Sequence, residues 1–296
     1  MGLEVIVSEE DFVATYPNGA MNYLDYTSAL ALKAQGENGH QIAKKIGRPV
    51  MTIHQWLARK KTPHCVIGLE RAKAQGYAPL TTDSAALLPF GRLYSWALWS
   101  GSVARDFQVM ISESDARLQM LGSYFKERLG LESAIRRYEG NRVALTMGTG
   151  GKIAGRMLYA MGFPTEGRKR EHELVVPDFI RSSTELRSDF LRVLVEARAC
   201  QDSYTSYKIS LIESDLEEGA KRFGDSVLGL FQLAFPRAGL SDADLRVRKL
   251  ARRGKDTYTS SIQLSKSTIL NFIQYYPCVF SVRPTEVSYD ISSQVS

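Results

Sequence analysis

Arg48, Met51, Thr52, His54 and Gln55 lie within one short stretch, with Arg59, Lys60 and Lys61 directly behind them. Gln can bond adenine through two hydrogen bonds, Thr can touch a thymine methyl, and a basic trio suits phosphates. A second set sits where residues alternate at strand spacing. Arg142, Ala144 and Thr146 oppose Val143, Leu145 and Met147, while Ser206, Lys208 and Ser210 oppose Tyr207, Ile209 and Leu211. Arg246, Arg248 and Arg252 share a face, the loop Arg253–Gly254–Lys255 follows, and Thr259, Ser261 and Gln263 point out of the last strand. Arg105, Gln108, Arg136 and Arg137 complete the set. Hydrogen bonders mixed with Arg are what the reading of base edges in duplex DNA requires.

The first set needs a helical frame. Ile42, Ile46, Ile53, Trp56 and Leu57 fall at the spacing of one buried face. Ala43 is small where two helices would cross, and Gly47 suits a tight turn between them. Pro49 fits the first turn of a helix over Pro49–Arg59, because its missing N–H would be unpaired there. Before it, Tyr26–Ala34 reads as an amphipathic helix ending at Gly36. This pattern resembles a DNA-binding helix-turn-helix with Pro49–Arg59 as its reading helix. Ala74–Ser84, rich in Gly, Pro and short polar residues, reads as a linker.

Beyond it the chain runs twice through one order of elements. In the first copy a helix over Phe90–Ser100 ends at Gly101 and Val103–Ser112 is strand material. Ser114 caps the next helix, strands lie at Ala134–Glu139 and Arg142–Met147 joined by Gly140–Asn141, and a helix spans Gly151–Met161. A basic stretch, GRKRE, follows. The second copy has helix Thr184–Ala199, strand Tyr204–Leu211, helix Leu216–Ala234 opened by Ser214 and Asp215, strands Leu245–Arg252 and Tyr258–Leu264, and helix Ser267–Tyr275.

Length and charge are compatible with this plan. The chain has 296 residues, 44% hydrophobic and 24% charged, and Lys plus Arg exceed Asp plus Glu by 38 to 32. The resulting +6 favours a polyanionic partner if the charges cluster. Cys65, Cys200 and Cys278 make neither a disulfide framework nor a metal spacing, and His64–Cys65 has no second ligand pair at zinc-finger distance. No metal and no cofactor is expected. The segment MGLEVIVSEEDF has neither the basic flank nor the apolar core of a signal peptide, and no apolar run approaches the roughly 18 residues of a membrane span. A cytoplasmic, nucleoid-associated protein is expected.

Leu93–Gly101 (LYSWALWSG) and Leu191–Ala199 (LRVLVEARA) resemble altered copies of the nine-residue helix motif of the LAGLIDADG homing endonucleases. The resemblance covers about Leu88 to Pro284 and extends to ISESDARLQMLGSYFKERLGLES, MGFPTEGRKRE and ELVVPDFI. It implies an α+β chain: an N-terminal all-α helix-turn-helix, then a duplicated αββαββα core whose two antiparallel sheets straddle the DNA major groove. The corresponding boundaries are 1–73, a linker at 74–86, repeats at 87–183 and 184–284, and a tail at 285–296. It further implies that the two motif helices pack side by side. Their third residue, normally small, is Ser95 in one copy and Val193 in the other, which predicts a wider or repacked seam with Trp96 and Trp99 in its core.

In that family the eighth motif residue is an acid that holds the catalytic metal. Here those positions are Ser100 and Arg198, and the final Gly of the second motif is Ala199. A guanidinium about 4 Å from Mg²⁺ is repelled by roughly 8 kcal/mol at an effective dielectric near 20. Glu196, Asp106 and Asp202 are the acids that could compensate. The expected protein therefore binds duplex DNA sequence-specifically without cutting it, with Arg198 pairing a phosphate where a metal would sit. A transcription regulator and a chromosome-organising factor both fit, as a monomer carrying its own pseudo-twofold. The alternatives are an active Mg-dependent homing endonuclease with displaced acids and a maturase-like RNA-binding protein.

Overall fold

The computed structural model describes residues 4–139, 142–148, 150–164, 174–252 and 255–276. Its N-terminal part runs β1 (Val5–Val7), α1 (Glu9–Ala14), α2 (Gly19–Ala34), α3 (Gly39–Ile46), α4 (Val50–Leu57) and α5 (His64–Ala74). Local chemistry sets these limits. Asn38 accepts from the N–H groups of His40 and Gln41, and Gln41 reaches back to the Asn38 N–H, so the start of α3 is capped reciprocally. Gly47 ends α3 at φ 78°, a conformation that other residues adopt only at a cost. Pro49 then stands at the N-cap of α4. Ile42 and Ile53 are fully buried, and Tyr26 meets Trp56 edge to face at 5.9 Å. The helix-turn-helix spacing read from the sequence is thus realised. Only α2 begins much earlier than its amphipathic stretch suggested.

The segment expected as a linker is ordered. β2 (Leu80–Thr81) pairs antiparallel with β1, adding a short ribbon to the helices. Tyr77, Ala78 and Leu80 are buried, and the Tyr77 hydroxyl donates to the Leu129 carbonyl in the next unit. Burial pushes that phenol up to about 12. A second tie joins the two units. Arg156 stacks 3.6 Å above the Tyr16 ring and 4.0 Å from the Phe107 ring, and it donates to the Thr15 carbonyl at 2.5 Å.

The first repeat runs α6 (Leu87–Ser100), β3 (Gly101–Val103), β4 (Val109–Ile111), α7 (Asp115–Leu129), β5 (Ser133–Tyr138), β6 (Arg142–Met147) and α8 (Gly151–Ala160). After α9 (Asp178–Ser182), the second runs α10 (Thr184–Arg198), β7 (Ala199–Gln201), β8 (Ser206–Ser214), α11 (Glu217–Ala234), β9 (Leu245–Arg252), β10 (Lys255–Ser265) and α12 (Lys266–Tyr275). The sheets have orders β3-β4-β6-β5 and β7-β8-β10-β9, so each repeat places its four strands in the same sequence. A duplicated αββαββα core requires that identity, and it is present. Val103–Ser112, read as one stretch of strand, is a hairpin that turns through Ala104–Gln108. Ser114 occupies the cap position of α7 with an extended backbone, but its side chain makes no capping bond. Ser214 ends β8 instead of sitting in the cap of α11, which falls on Leu216. Gly140, Asn141, Arg253, Gly254, Cys278, the GRKRE stretch and the tail lie outside the described residues.

Two glycines fix which sheet face is inward. A Cβ on Gly122 of α7 would lie 2.9 Å from Ser133 Oγ, and one on Gly224 of α11 would lie 2.7 Å from Leu245 Cδ1. Ser133, Leu145, Leu245 and Ser260 therefore face the helices, and strand alternation turns their neighbours outward.

The repeats meet where α6 runs along α10. Trp96 and Trp99 are fully buried, and Trp99 packs against Phe190 and Phe223 with ring centroids at 5.4 and 5.8 Å. Ser95 donates to the Gly91 carbonyl at 2.7 Å, and a Cβ on Gly91 would lie 2.6 Å from Leu186 Cδ2. Val193 is buried as well, so it is Gly91 that permits the close approach. Across the same seam Arg92 and Asp189, both nearly buried, form a forked ion pair at 2.5 and 3.0 Å, and Arg92 also lies 4.5 Å from the Tyr124 ring centroid. Removing one partner strands the other charge in the interior. Asp189→Ala should therefore lower unfolding stability by about 3–5 kcal/mol, read from urea denaturation; a loss below about 1 kcal/mol, the size of an exposed pair, would contradict this.

Candidate nucleic-acid interface

The C-terminal ends of α6 and α10 bring Ser100 and Arg198 to the outer side of the seam, and each helix leads directly into the first strand of its sheet. Ser100 Oγ donates to Glu113 at 2.7 Å. The other Glu113 oxygen accepts from Arg117 Nη1 at 2.9 Å, and the same nitrogen donates to the Glu196 carbonyl of α10 at 3.2 Å. Arg198 is charged against both Glu113 and Glu213, while partial desolvation holds its proton affinity below the ordinary arginine range. The acids beside the motif ends are thus Glu113 and Glu213. Glu196 contributes its backbone carbonyl to Arg117. Asp106 is elsewhere, in the β3–β4 turn, where Lys152 at 2.9 Å holds its carboxyl below the usual carboxylate range. Asp202 is exposed in the β7–β8 turn. Glu113–Ser114–Asp115, just after the second strand of the first repeat, recurs as Glu213–Ser214–Asp215 at the end of the second strand of the other, a sequence signal that points to this pair.

Around the motif ends, then, Ser100 is neutral, Glu113 is engaged by a hydroxyl and a guanidinium, and Arg198 brings a positive charge facing both Glu113 and Glu213. Among the described residues no group of three or more His, Cys, Asp or Glu is placed to hold a metal.

Register decides which of the expected contacts share a face. In the second sheet Cys200 pairs with Lys208, Lys208 with Gln263, Ser210 with Ser261, Ser261 with Arg246, and Thr259 with Arg248. Cross-strand partners point the same way, so these residues form one outward polar face. Arg246 and Arg248 are exposed on it and form no ion pair among the described residues. Arg252 and Lys255 are backbone partners at the end of the β9–β10 hairpin. Lys249, one position off, is on the other face with Asp256 at 2.6 Å.

In the first sheet the outward face carries Ser102, Met110, Thr146, Ala144, Arg136, Arg142 and Tyr138. Arg136 and Arg142 are exposed, as is Arg105 in the neighbouring turn. Arg137 is not part of this face. Alternation sends it to the helix side, where it bonds Asp115. Gln108 is likewise used internally, donating its amide to the Met147 carbonyl. Thr146 faces outward by register but is nearly buried. Thr146 and Gln263 hold the same position in their repeats, and Thr146 Oγ1 and Gln263 Nε2 are buried without a hydrogen-bond partner among the described residues. Such groups call for water or a ligand.

On the helix-turn-helix, Met51, His54, Arg59, Lys60 and Lys61 are exposed, and Thr52 and Gln55 are half-buried. The His54 ring packs over Gly39 and lies 6.0 Å from the His40 ring. Arg48 differs from expectation. It pairs with Asp25 at 2.6 Å and Asn22 at 3.1 Å, tying α2 to the inter-helix turn.

No protein-family model and no curated protein matches the chain. Solved structures that it resembles include the N-terminal LAGLIDADG domain of DUF199/WhiA, at 13% identity and a TM-score of 0.39, covering 64% of this chain and 82% of that one. Full-length DUF199/WhiA from Thermatoga maritima aligns at 15% identity and a TM-score of 0.39 over 67% of this chain and 58% of its own. Mesophilic variants of the homing endonuclease I-DmoI align at 13% identity and a TM-score of 0.39 over 65% and 97%. The chain thus spans little more than half of the full-length protein.

The charge at the seam yields a direct test. Replacing both residues at the motif ends, Ser100→Asp with Arg198→Asp, should tighten Mn²⁺ binding by at least about tenfold in calorimetric titration, since the charge terms involved exceed about 1.4 kcal/mol. Equal Mn²⁺ affinity in parent and double variant would show that Arg198 does not repel a metal there.

Proposed function

We propose that this protein binds duplex DNA sequence-specifically, as a monomer, through α4 and the outward faces of its two sheets, and does not cut it. The observation that carries the reading is the register of the second sheet, which sets Lys208, Arg246 and Arg248 on one face with Ser210 and Gln263, over the buried Ser261. Cations that bind phosphates, interleaved with side chains that can read base edges, are the composition such an interface needs. Met51, Thr52, His54 and Gln55 on α4, followed by Arg59, Lys60 and Lys61, supply a second reading surface.

The role is regulation of transcription or organisation of the chromosome. Loss of cleavage rests on Ser100 and Arg198: a hydroxyl and a guanidinium stand where carboxylates would hold metal between two phosphates. Arg198, at the C-terminal end of α10, supplies a built-in cation for a backbone phosphate. Glu113 favours a second reading, a nuclease with displaced acids, because its carboxylate is within 2.7 Å of Ser100 Oγ. Its engagement by Arg117 weighs against that reading.

Selection of fragmented genomic DNA on the full chain in Mg²⁺, with sequencing of bound fragments and of new ends, separates these readings. Discrete intact sites are expected. New ends clustered at one site would establish the nuclease, and no enrichment of any DNA fragment would overturn the DNA reading in favour of the maturase-like, RNA-binding alternative. On a selected site, Arg198→Asp should weaken binding and reduce the slope of log affinity against log salt by about one. An unchanged slope would remove Arg198 from the phosphate contacts.

A further inference from the structure

The two repeats share a topology but differ at one place on their outward faces. Register equates Ser102, Met110 and Thr146 with Cys200, Lys208 and Gln263, Ala144 with Ser261, and Tyr138 with Arg248. The last motif positions are Ser100 and Arg198. Where the second repeat carries Arg198, Lys208 and Arg248, the first therefore carries Ser100, Met110 and Tyr138.

The exchange leaves a hollow. A slot of about 300 Å³ opens on the first sheet beside the seam, at the lower end of the range for small-ligand sites. Ser100, Ser102, Ser112 and Ala144 line it with small side chains, and Tyr138 and Arg142 flank it. The Tyr138 hydroxyl reaches 4.0 Å from Met110 Sδ, so its ring spans the sheet surface over Ala144 while remaining 44% exposed. Arg142 is exposed and forms no ion pair among the described residues.

We propose that this slot accepts a single unstacked nucleobase, and that the base comes from the bound duplex. A planar base suits the free face of an aromatic ring, and stacking of this kind tolerates any base because each has a π-face. Serine hydroxyls both donate and accept, so they can meet the edge of a base exposed by unpairing. The adjacent guanidinium of Arg142 matches the phosphate that must travel with such a base. The slot lies at the end of α6, next to the seam between the two sheets, so the base it takes comes from near the middle of the contacted DNA. In the second repeat the positions of Ser100, Met110 and Tyr138 are held by Arg198, Lys208 and Arg248, which suit phosphates instead. The inference rests on the reading of these faces as a DNA interface, and the test separates the two.

Unpairing costs least where a base is already mismatched. A single mismatch moved stepwise through a selected duplex should thus raise the affinity of the full chain at one central position, by about tenfold or more, the equivalent of about 1.4 kcal/mol. Ala144→Leu, which fills the slot, and Tyr138→Leu, which removes the stacking face, should each bring the ratio of mismatched-duplex to intact-duplex affinity down to about one, whatever happens to the affinity for intact duplex itself. Tight binding of intact duplex with no preferred mismatch position overturns the slot and leaves DNA binding in place. A preference that survives both substitutions also overturns it, because DNA deformability alone would then be the cause. Failure to bind any duplex removes the underlying reading. Quenching of tyrosine fluorescence by free nucleoside monophosphates, lost in Tyr138→Leu and without a mismatch preference, would overturn the duplex as source and assign the slot to a free nucleotide.

Discussion

The forked ion pair between Arg92 and Asp189 constrains everything built on the two repeats. Both groups are almost fully buried, and they belong to the two helices whose ends begin the two sheets. Burying opposite charges brings little net stability when desolvation is counted, but separating them is costly. The pair therefore acts mainly on geometry: α6 cannot slide or rotate against α10 without leaving a charge unpaired. Gly91 lets Leu186 approach at that level, and Trp99 packs between Phe190 and Phe223 further along the seam. The relative placement of the outward faces, each anchored at a helix end, is fixed by this contact rather than by the strands themselves.

How much of this was legible in the chain follows from the length scale of each signal. The β6 and β9 strands begin and end where alternation begins and ends, and Gly47 and Pro49 delimit the turn of the helix-turn-helix. The duplicated order of elements was equally readable, since it is carried by helices of ten or more residues. β1, β2, β3 and β7 have three residues or fewer, too short to show a period, and they exist because a partner strand completes them. Tyr77 carries no periodic signal either; its burial depends on Leu129, far along the chain.

The outward polar faces were legible as a pattern but not residue by residue. Arg136 and Arg137 are consecutive in a strand, so alternation alone forbids both from sharing the outward face, and Arg137, paired with Asp115, is the one on the helix side. Arg48 looks free in a linear reading because Asp25 and Asn22 belong to another helix. Attention to the motif ends favoured nearby acids over Glu113 and Glu213. Those two arrive at the seam through the second strand of each repeat, and the repeated Glu-Ser-Asp tripeptide was their trace in the sequence.

Duplication followed by divergence gives the two halves different chemistry on one scaffold. The seam is buried, so change there is confined. The outward faces are under no such packing limit: Arg136 and Arg246 hold one shared position, but the second repeat carries Arg198, Lys208 and Arg248 where the first carries Ser100, Met110 and Tyr138. With a hydroxyl at the end of one motif helix and a guanidinium at the end of the other, the two halves present different charge to whatever meets the seam. The asymmetry is electrostatic before it is steric, because the strands beneath keep one order in both halves.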